Sequence, residues 1–187
     1  MKCKAIAITG QIGSGKSVMG NYLRQRGYEV IDCDQLSRIV ADLPQTVSEV
    51  ERLFGSSYVV EGKLNRAKIR AEILADEQKC DQYNALFFSQ IKQLLTTAVQ
   101  SSNQSVVFVE IPLIDAFDFS WYQIWQVQSS TSNRVQRVVQ RDGVDEKDVI
   151  SISNMQNYQS KPTHVIVNDG TKEQFFEKID FLLSKNV

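Results

Sequence analysis

The sequence predicts an α/β fold, with short apolar strands alternating with helices around a phosphate-binding loop. Three observations carry this. Gly10-Gln11-Ile12-Gly13-Ser14-Gly15-Lys16-Ser17 fits the spacing G-x-x-x-x-G-K-[ST] with no mismatch. An apolar run from Lys4 to Thr9 leads into it, and a helical pattern from Val18 to Arg26, stopped by Gly27, leads out. Four further apolar runs follow, Tyr28 to Ile31, Val106 to Glu110, Gln123 to Val127 and His164 to Val167, and helical patterns separate all but the second and third of these. Strands that alternate with helices in this way belong to a parallel sheet.

The loop predicts a nucleoside triphosphate site for physical reasons. Glycines let the backbone curl until successive N–H groups point at one anion, and the following helix adds the positive end of its dipole. In this geometry Lys16 reaches the β- and γ-phosphates, and the Ser17 hydroxyl faces Mg²⁺. Gln11, Ile12, Gly13, Ser14, Gly15 and Val18 complete the cradle.

Composition narrows the class. The 187 residues are enough for one buried core with a subsidiary lobe. Lysine and arginine number 21 against 22 acidic residues, so no global field recruits nucleic acid or an anionic membrane. No apolar run approaches the ~20 residues of a membrane span. The N-terminal apolar run is too short for a signal peptide and enters the loop directly, so it is assigned to the fold. Cys3, Cys33 and Cys80 are odd in number and form no C-x-x-C pair, which points to reduced thiols in a cytoplasmic protein without a zinc site. His164, the one histidine, opens an apolar strand and reads as a core or edge residue.

The second strand ends in Asp32-Cys33-Asp34. Two residues along an extended chain return to one face, so both carboxylates are expected on one side at the strand's carboxyl end. That edge is where ligands sit in open parallel sheets. Asp34 also suits the cap of a helix starting at Gln35. From Leu36 to about Gln100 the pattern is nearly all helical, broken by Pro44, Gly55 and Gly62. Ser48 to Phe54 and Arg66 to Ala75 read as short helices, and Gln78 to Gln100 as a long one. So much helix between two strands predicts a lobe in which a second substrate docks, with Arg66 placed to meet an anionic group.

The strand from Val106 ends in Glu110, the position where an acid holds Mg²⁺ directly or through water. Ile111-Pro112-Leu113-Ile114 follows as a connection at the same edge. In the helix from Asn133 to Arg141, Arg134, Arg137 and Arg141 fall within about 60° around the axis. With a phosphate loop in the chain, this stripe is read as a lid over transferring phosphates. Gly143 ends it, a helix from Asp145 to Tyr158 follows, and Asn168-Asp169-Gly170 turns into a last helix from Lys172 to Leu183.

Together these segments resemble the dephospho-coenzyme A kinase family. The resemblance rests on Thr9 to Ser17, Val30 to Asp34, Leu64-Asn65-Arg66, Pro112-Leu113-Ile114, Gln136 to Asp142, Gln156, and Val165 to Gly170. It implies a P-loop NTPase fold: a five-stranded parallel sheet flanked by helices, with a helical substrate lobe and a lid. In this chain the core falls at about residues 1–35, 104–130 and 162–187, the lobe at about 36–103 and the lid at about 131–161. The implied reaction transfers the ATP γ-phosphate to the ribose 3′-hydroxyl of dephospho-coenzyme A, giving coenzyme A in the last step of its synthesis. The resemblance makes Asp34 the general base and Asp32 a metal or substrate contact. It makes Arg137 and Arg141 the lid arginines, and sets the Asn168 to Gly170 turn near the adenine. Lys16 and Ser17 keep their loop roles.

The expected site is therefore catalytic at Lys16, Asp34, Arg137 and Arg141, and metal-binding at Ser17, Asp32 and Glu110. Acceptor contacts are expected at Asp34, Arg66, Pro112 and Leu113. ATP and Mg²⁺ are the expected cofactors, dephospho-coenzyme A is the expected partner, and a monomer is expected. The chain departs from the family's usual pattern at Phe88-Ser89, where His-Pro is usual, at Ala116, where Glu is usual, and at Val167, where Asp is usual. The first two bear on the acceptor lobe. The alternatives are a P-loop kinase for another small acceptor, such as a nucleoside monophosphate, and a non-metabolic NTP-binding regulatory protein. No Asn-Lys-x-Asp guanine-reading motif favours the latter.

Overall fold

Five strands form one sheet: β1 (Lys4–Thr9), β2 (Val30–Asp32), β5 (Val106–Glu110), β6 (Gln123–Gln128) and β7 (His164–Val167). All are parallel, in the order β2-β5-β1-β6-β7. The computed structural model describes residues 3–116, 118–156 and 158–187. It divides into two compact units, residues 1–32 with 98–187, and residues 33–97.

In the first unit the central strand β1 is buried along its length after Lys4, and every residue of β5 is buried. Strands covered on both faces read as continuous apolar runs, which is why these two were legible without alternation. Helix α1 (Lys16–Gln25) and the C-terminal helix α8 (Lys172–Asn186) pack on one face. Met19 and Leu23 of α1, and Phe175 and Ile179 of α8, meet Ile6, Ile8, Phe108, Trp125 and Ile166 there. Each fully buried side chain of this size contributes about 1.5–3 kcal/mol by burial. Truncating Phe108, which meets Trp125 edge-on at a centroid distance of 5.3 Å, would cost about 3–5 kcal/mol. Helix α8 starts at a capping box: the Thr171 side chain accepts from Gln174 N, and the Gln174 side chain accepts from Thr171 N.

Helices α6 (Thr131–Asp142) and α7 (Glu146–Met155) belong to the same unit. Val135, Val138 and Val149 form a small core between them, closed by Ile12 from the loop after β1. Gly143 ends α6 at φ 67°, a conformation that other residues adopt only with strain. The expected helix from Asp145 to Tyr158 begins later and ends earlier, and its continuation across residue 157 lies outside the described residues.

The second unit contains α2 (Cys33–Asp42), α3 (Pro44–Phe54), α4 (Arg66–Ala75) and most of α5 (Glu77–Ser101). Pro44 starts α3, where its missing N–H is no loss. Asn65 caps α4 by accepting from Lys68 N at 3.1 Å. Aromatic rings knit the unit together, with Tyr83 stacked on Phe87 at 4.2 Å and Phe54 tilted against Tyr58 at 5.8 Å.

Two expectations are corrected here. The stretch read as helical is interrupted by an antiparallel hairpin, β3 (Val59–Val60) and β4 (Lys63–Leu64). Its turn residues Glu61 and Gly62 lie at φ 52° and 74°, the left-handed pair that a two-residue hairpin turn demands. The second strand also stops at Asp32, and Cys33 already opens α2. Asp34 therefore sits in the first helical turn, not on an extended chain, so the argument from alternating faces does not apply to it. Among the described residues, no helix is long and apolar enough to cross a membrane.

Candidate active site

β1 delivers the chain to the carboxyl edge of the sheet and releases it into a loop of residues 10–15 that ends at α1. Gly10, Gly13 and Gly15 all have positive φ, at 144°, 76° and 110°. Gly13 has a second constraint: a Cβ there would fall 2.5 Å from Arg134 O and 2.9 Å from Val138 Cγ2. Gly15 is the N-cap of α1 and has no side chain to cap it. The first-turn N–H groups of a helix lack intrahelical partners, so an anion at this point supplies what the sequence omits.

The loop is held from its outer side. Arg137 Nη1 donates to Gly13 O at 3.3 Å, to Ser14 O at 3.5 Å and to Ser129 Oγ at 3.1 Å, and its Nη2 donates to Asn168 O at 2.8 Å. Asn168 Nδ2 donates to Ser14 O at 2.8 Å, and Arg134 Nη1 to Ile12 O at 3.4 Å. Across a trans peptide, a carbonyl and the following N–H point to opposite sides. Holding the carbonyls of Ile12 and Ser14 outward therefore turns the N–H groups of Gly13 and Gly15 the other way. Lys16 Nζ folds back on the loop, donating to Gly10 O at 2.6 Å and Gln11 O at 3.3 Å.

At the foot of α1, Ser17 Oγ donates to Glu110 Oε1 at 2.7 Å. Glu110 pairs in register with Asp32 of β2, so two carboxyl-bearing residues end neighbouring strands beside one hydroxyl. Gly20 of α1 leaves room for this, since a Cβ there would approach Glu110 Oε2 to 3.1 Å. Burial pushes the Glu110 carboxyl up from its ordinary value, and the charge of Asp32 adds to the shift. The hydrogen bond from Ser17 and the charges of Lys16 and Arg24 oppose it. A set of hard oxygens that keeps only two carboxylates suits Mg²⁺, which retains waters and shares phosphate oxygens, better than a cage-bound metal.

A cavity of about 470 Å³ opens beside the loop. Gly15, Val18, Arg137, Asn168 and Gly170 line it, with Tyr22, Phe175 and Phe176 supplying its apolar wall. Tyr22 stacks on Phe176 at 3.8 Å between centroids. Size and lining match a site for a planar base with a few orienting polar groups.

The expected site residues fall in several places. Residues 11–18, Arg137, Asn168 and Gly170 surround the loop and cavity, and Ser17, Asp32 and Glu110 gather at the sheet edge. Arg141 is exposed and pairs with its neighbour Asp142, with both N···O distances at 2.7 Å. The arginine stripe is thus three different environments, because Arg134 is only 5% exposed and takes no part in a solvent-facing surface. Pro112 O accepts from Tyr158 Oη at 3.2 Å, and Leu113 is exposed. Asp34 and Arg66, both exposed, lie in the first turns of α2 and α4 in the second unit.

Sequence reasoning missed several residues here. Gln156 Oε1 accepts from Ile12 N at 2.7 Å, and Gln11 Nε2 donates to Ser153 O at 3.2 Å. Asp169 accepts from Ser129 Oγ at 2.6 Å, Ser130 N at 2.8 Å and Asn133 Nδ2 at 2.9 Å, tying the turn before α8 to the start of α6. These bonds hold the Asp169 carboxyl far below the usual carboxylate range. Gln156 stood among the resemblance motifs without a role, and Asp169 only as the middle of a turn.

A central strand flanked by β5 and β6, running into a glycine loop and a helix with a strand-end glutamate beside it, defines a P-loop nucleotide-binding protein. Comparison with known proteins makes this specific. The family model for dephospho-CoA kinase matches residues 4–174, and the chain belongs to that family. A dephospho-CoA kinase of Thermus thermophilus is 29% identical over 188 residues, covering 96% of this chain and 90% of that protein. A crystal structure of a Thermus thermophilus protein superposes with a TM-score of 0.88 at 27% identity, over the whole of both chains. The dephospho-CoA kinase of Campylobacter jejuni shares the fold at 20% identity and a TM-score of 0.68, over 97% of each chain.

Proposed function

We propose that this enzyme transfers the γ-phosphate of ATP to the ribose 3′-hydroxyl of dephospho-coenzyme A. The observation that carries the proposal is the family match over residues 4–174, which takes in the second unit as well as the loop.

On this reading the loop N–H groups and Lys16 hold the β- and γ-phosphates, and the base occupies the cavity by Tyr22 and Asn168, with Gly170 at its edge. Ser17, Asp32 and Glu110 would hold Mg²⁺, which supplies charge neutralisation at the phosphates. Asp34 accepts the proton of the acceptor hydroxyl, a weak nucleophile until that proton leaves. Arg141 meets the transferring phosphoryl group, whose spread negative charge makes positioned cations the main source of rate. Arg137 both walls the nucleotide cavity and fixes the loop. Arg66, Pro112 and Leu113 contact the acceptor.

In the same reading residues 36–103 are the acceptor lobe and residues 131–161 the lid, while the remainder forms the nucleotide core. A lid held over the phosphates would exclude water and limit wasteful hydrolysis. The enzyme works as a cytoplasmic monomer without nucleic acid or membrane partners.

The deciding experiment is a coupled ADP-release assay with dephospho-coenzyme A beside a panel of nucleoside monophosphates and shikimate. Turnover with dephospho-coenzyme A well above the panel is expected. Ready turnover of a nucleotide or shikimate with none for dephospho-coenzyme A would overturn the acceptor, and Phe88-Ser89 and Ala116 would be the first residues to re-examine.

A further inference from the structure

Arg134 is a buried cation with neutral partners. Its Nε donates to Ser129 O at 3.2 Å, its Nη2 to Thr131 Oγ1 at 3.2 Å, and its Nη1 to Ser153 Oγ at 2.8 Å and Ile12 O at 3.4 Å. Among the described residues no carboxylate pairs with it. A buried charge without a counter-ion costs stability, so a purely structural role would be served better by an apolar side chain.

What the four bonds share is geometry. They join three segments of the chain: the entry to α6 and the loop at Ile12 through backbone carbonyls, and the end of α7 through the Ser153 hydroxyl. The end of α7 grips the same stretch of loop independently, through Gln156 on Ile12 N and Ser153 O on Gln11 Nε2. Ile12 is therefore held at its carbonyl by Arg134 and at its N–H by Gln156. The peptide that follows must present the Gly13 N–H away from Arg134, toward the inner side of the loop.

We propose that Arg134 is a positioning residue for phosphate binding, clamping Ile12 to α6 and α7 so that the loop is pre-formed before nucleotide arrives. A loop already in its binding conformation loses less entropy on binding. Only a guanidinium can reach the four acceptors at once from one planar fork, so lysine is not an equivalent here. The inference rests on the reading that this loop holds the β-phosphate.

The test compares ADP with AMP, which lacks the phosphate that the loop cradles. Dissociation constants are measured calorimetrically for the wild type, Arg134→Lys, Ser153→Ala and the double variant. Arg134→Lys is expected to weaken ADP about tenfold and leave AMP within about twofold, as the loss of one charge-assisted hydrogen-bond set implies. KM for ATP should rise in step, with kcat at saturation nearly kept, since ground-state and transition-state binding lose the same contact. Ser153→Ala, the milder change, should weaken ADP about threefold, and the double variant should lose less than the product of the two factors. Equal weakening of ADP and AMP, or no weakening in Ser153→Ala should Arg134→Lys not fold, overturns the proposal. A wild-type chain that binds AMP as tightly as ADP would instead remove the phosphate-loop reading beneath it.

Discussion

Ser17 and Glu110 meet at the carboxyl edge of the sheet, the Ser17 hydroxyl donating to Glu110 Oε1 at 2.7 Å. The Glu110 residue is 8% exposed and stands in register beside Asp32, so ionising it in the free enzyme costs more than in water. Its raised pKa means that protonation stabilises the fold, and this stabilisation is lost as pH rises from the ordinary 4.5 through the folded value. Glu110→Gln mimics the protonated state. Without nucleotide at pH 7–8 it should melt a few degrees above the wild type, and the gap should close below pH 4.5. The same variant should lose Mg²⁺-dependent turnover by ~10²-fold or more. Thermal melts across pH and initial rates across Mg²⁺ concentration check the two halves separately.

A variant at Asp34 tests whether binding and chemistry separate as proposed. Asp34→Asn keeps the size of the side chain and its place in the first turn of α2, but removes the proposed base. Turnover should fall by ~10²–10⁴. ATP affinity should stay near wild type, because the loop around Lys16 is untouched. Near-normal kcat would reduce Asp34 to a residue that favours the helix dipole.

The two arginines proposed for the lid should behave differently. Arg137→Ala removes donors to Gly13 O, Ser14 O and Asn168 O, so the KM for ATP should rise about tenfold. Arg141→Ala breaks only an exposed pair with Asp142, which is worth little to stability. If Arg141 meets the transferring phosphoryl group, kcat should drop ~10²–10³ with KM for ATP nearly constant. Steady-state kinetics that show the same split for both variants would count against the division of roles.

Asp169 offers an acid-side test. Its carboxyl is depressed by bonds from Ser129, Ser130 and Asn133, so its contribution is present above the ordinary 3.8 and is lost as pH falls through the folded value. Asp169→Ala should lower the melting temperature at neutral pH and raise the KM for ATP severalfold, by loosening the entry to α6. The melting difference from wild type should shrink below pH 3.8. Melting curves of both proteins from pH 7 downward check the stability half, and steady-state kinetics at neutral pH check the KM for ATP.

Where the sequence was legible, one segment carried its own signal. β1, β5 and β7 end where the apolar runs end, and α4 starts where Asn65 can cap it. The loop was legible because its function requires particular residue types in a fixed spacing. The hairpin at Val59 to Leu64 was hidden because strands of two residues have no period to read, and Gly62 alone looked like a helix break. Arg134 was misplaced for a deeper reason. A helical wheel sets it beside Arg137 and Arg141, but the loop that buries it lies 122 residues away in the chain. Gln156, 144 residues from its partner Ile12, was beyond local pattern in the same way. Contacts between remote segments decide which polar side chains turn inward, and periodicity does not record them.

The order β2-β5-β1-β6-β7 also governs how the chain can be made. β1 is synthesised before β5 and β6, the described strands it pairs with, whose partners for Ile6 are Phe108 and Gln123. Residues 33–97 form their compact unit from one uninterrupted stretch, whereas the sheet needs residues 4–9 to wait for strands about a hundred positions later. Loop closure over that length must precede the contacts that reward it. During translation the helical insert is therefore free to form while the phosphate loop is still part of an unpaired strand end. Nucleotide-binding capacity should emerge only after the turn at Asn168 and the start of α8, which complete the cavity, have left the ribosome, which makes ATP capture by stalled nascent chains a direct clock for completion of the sheet.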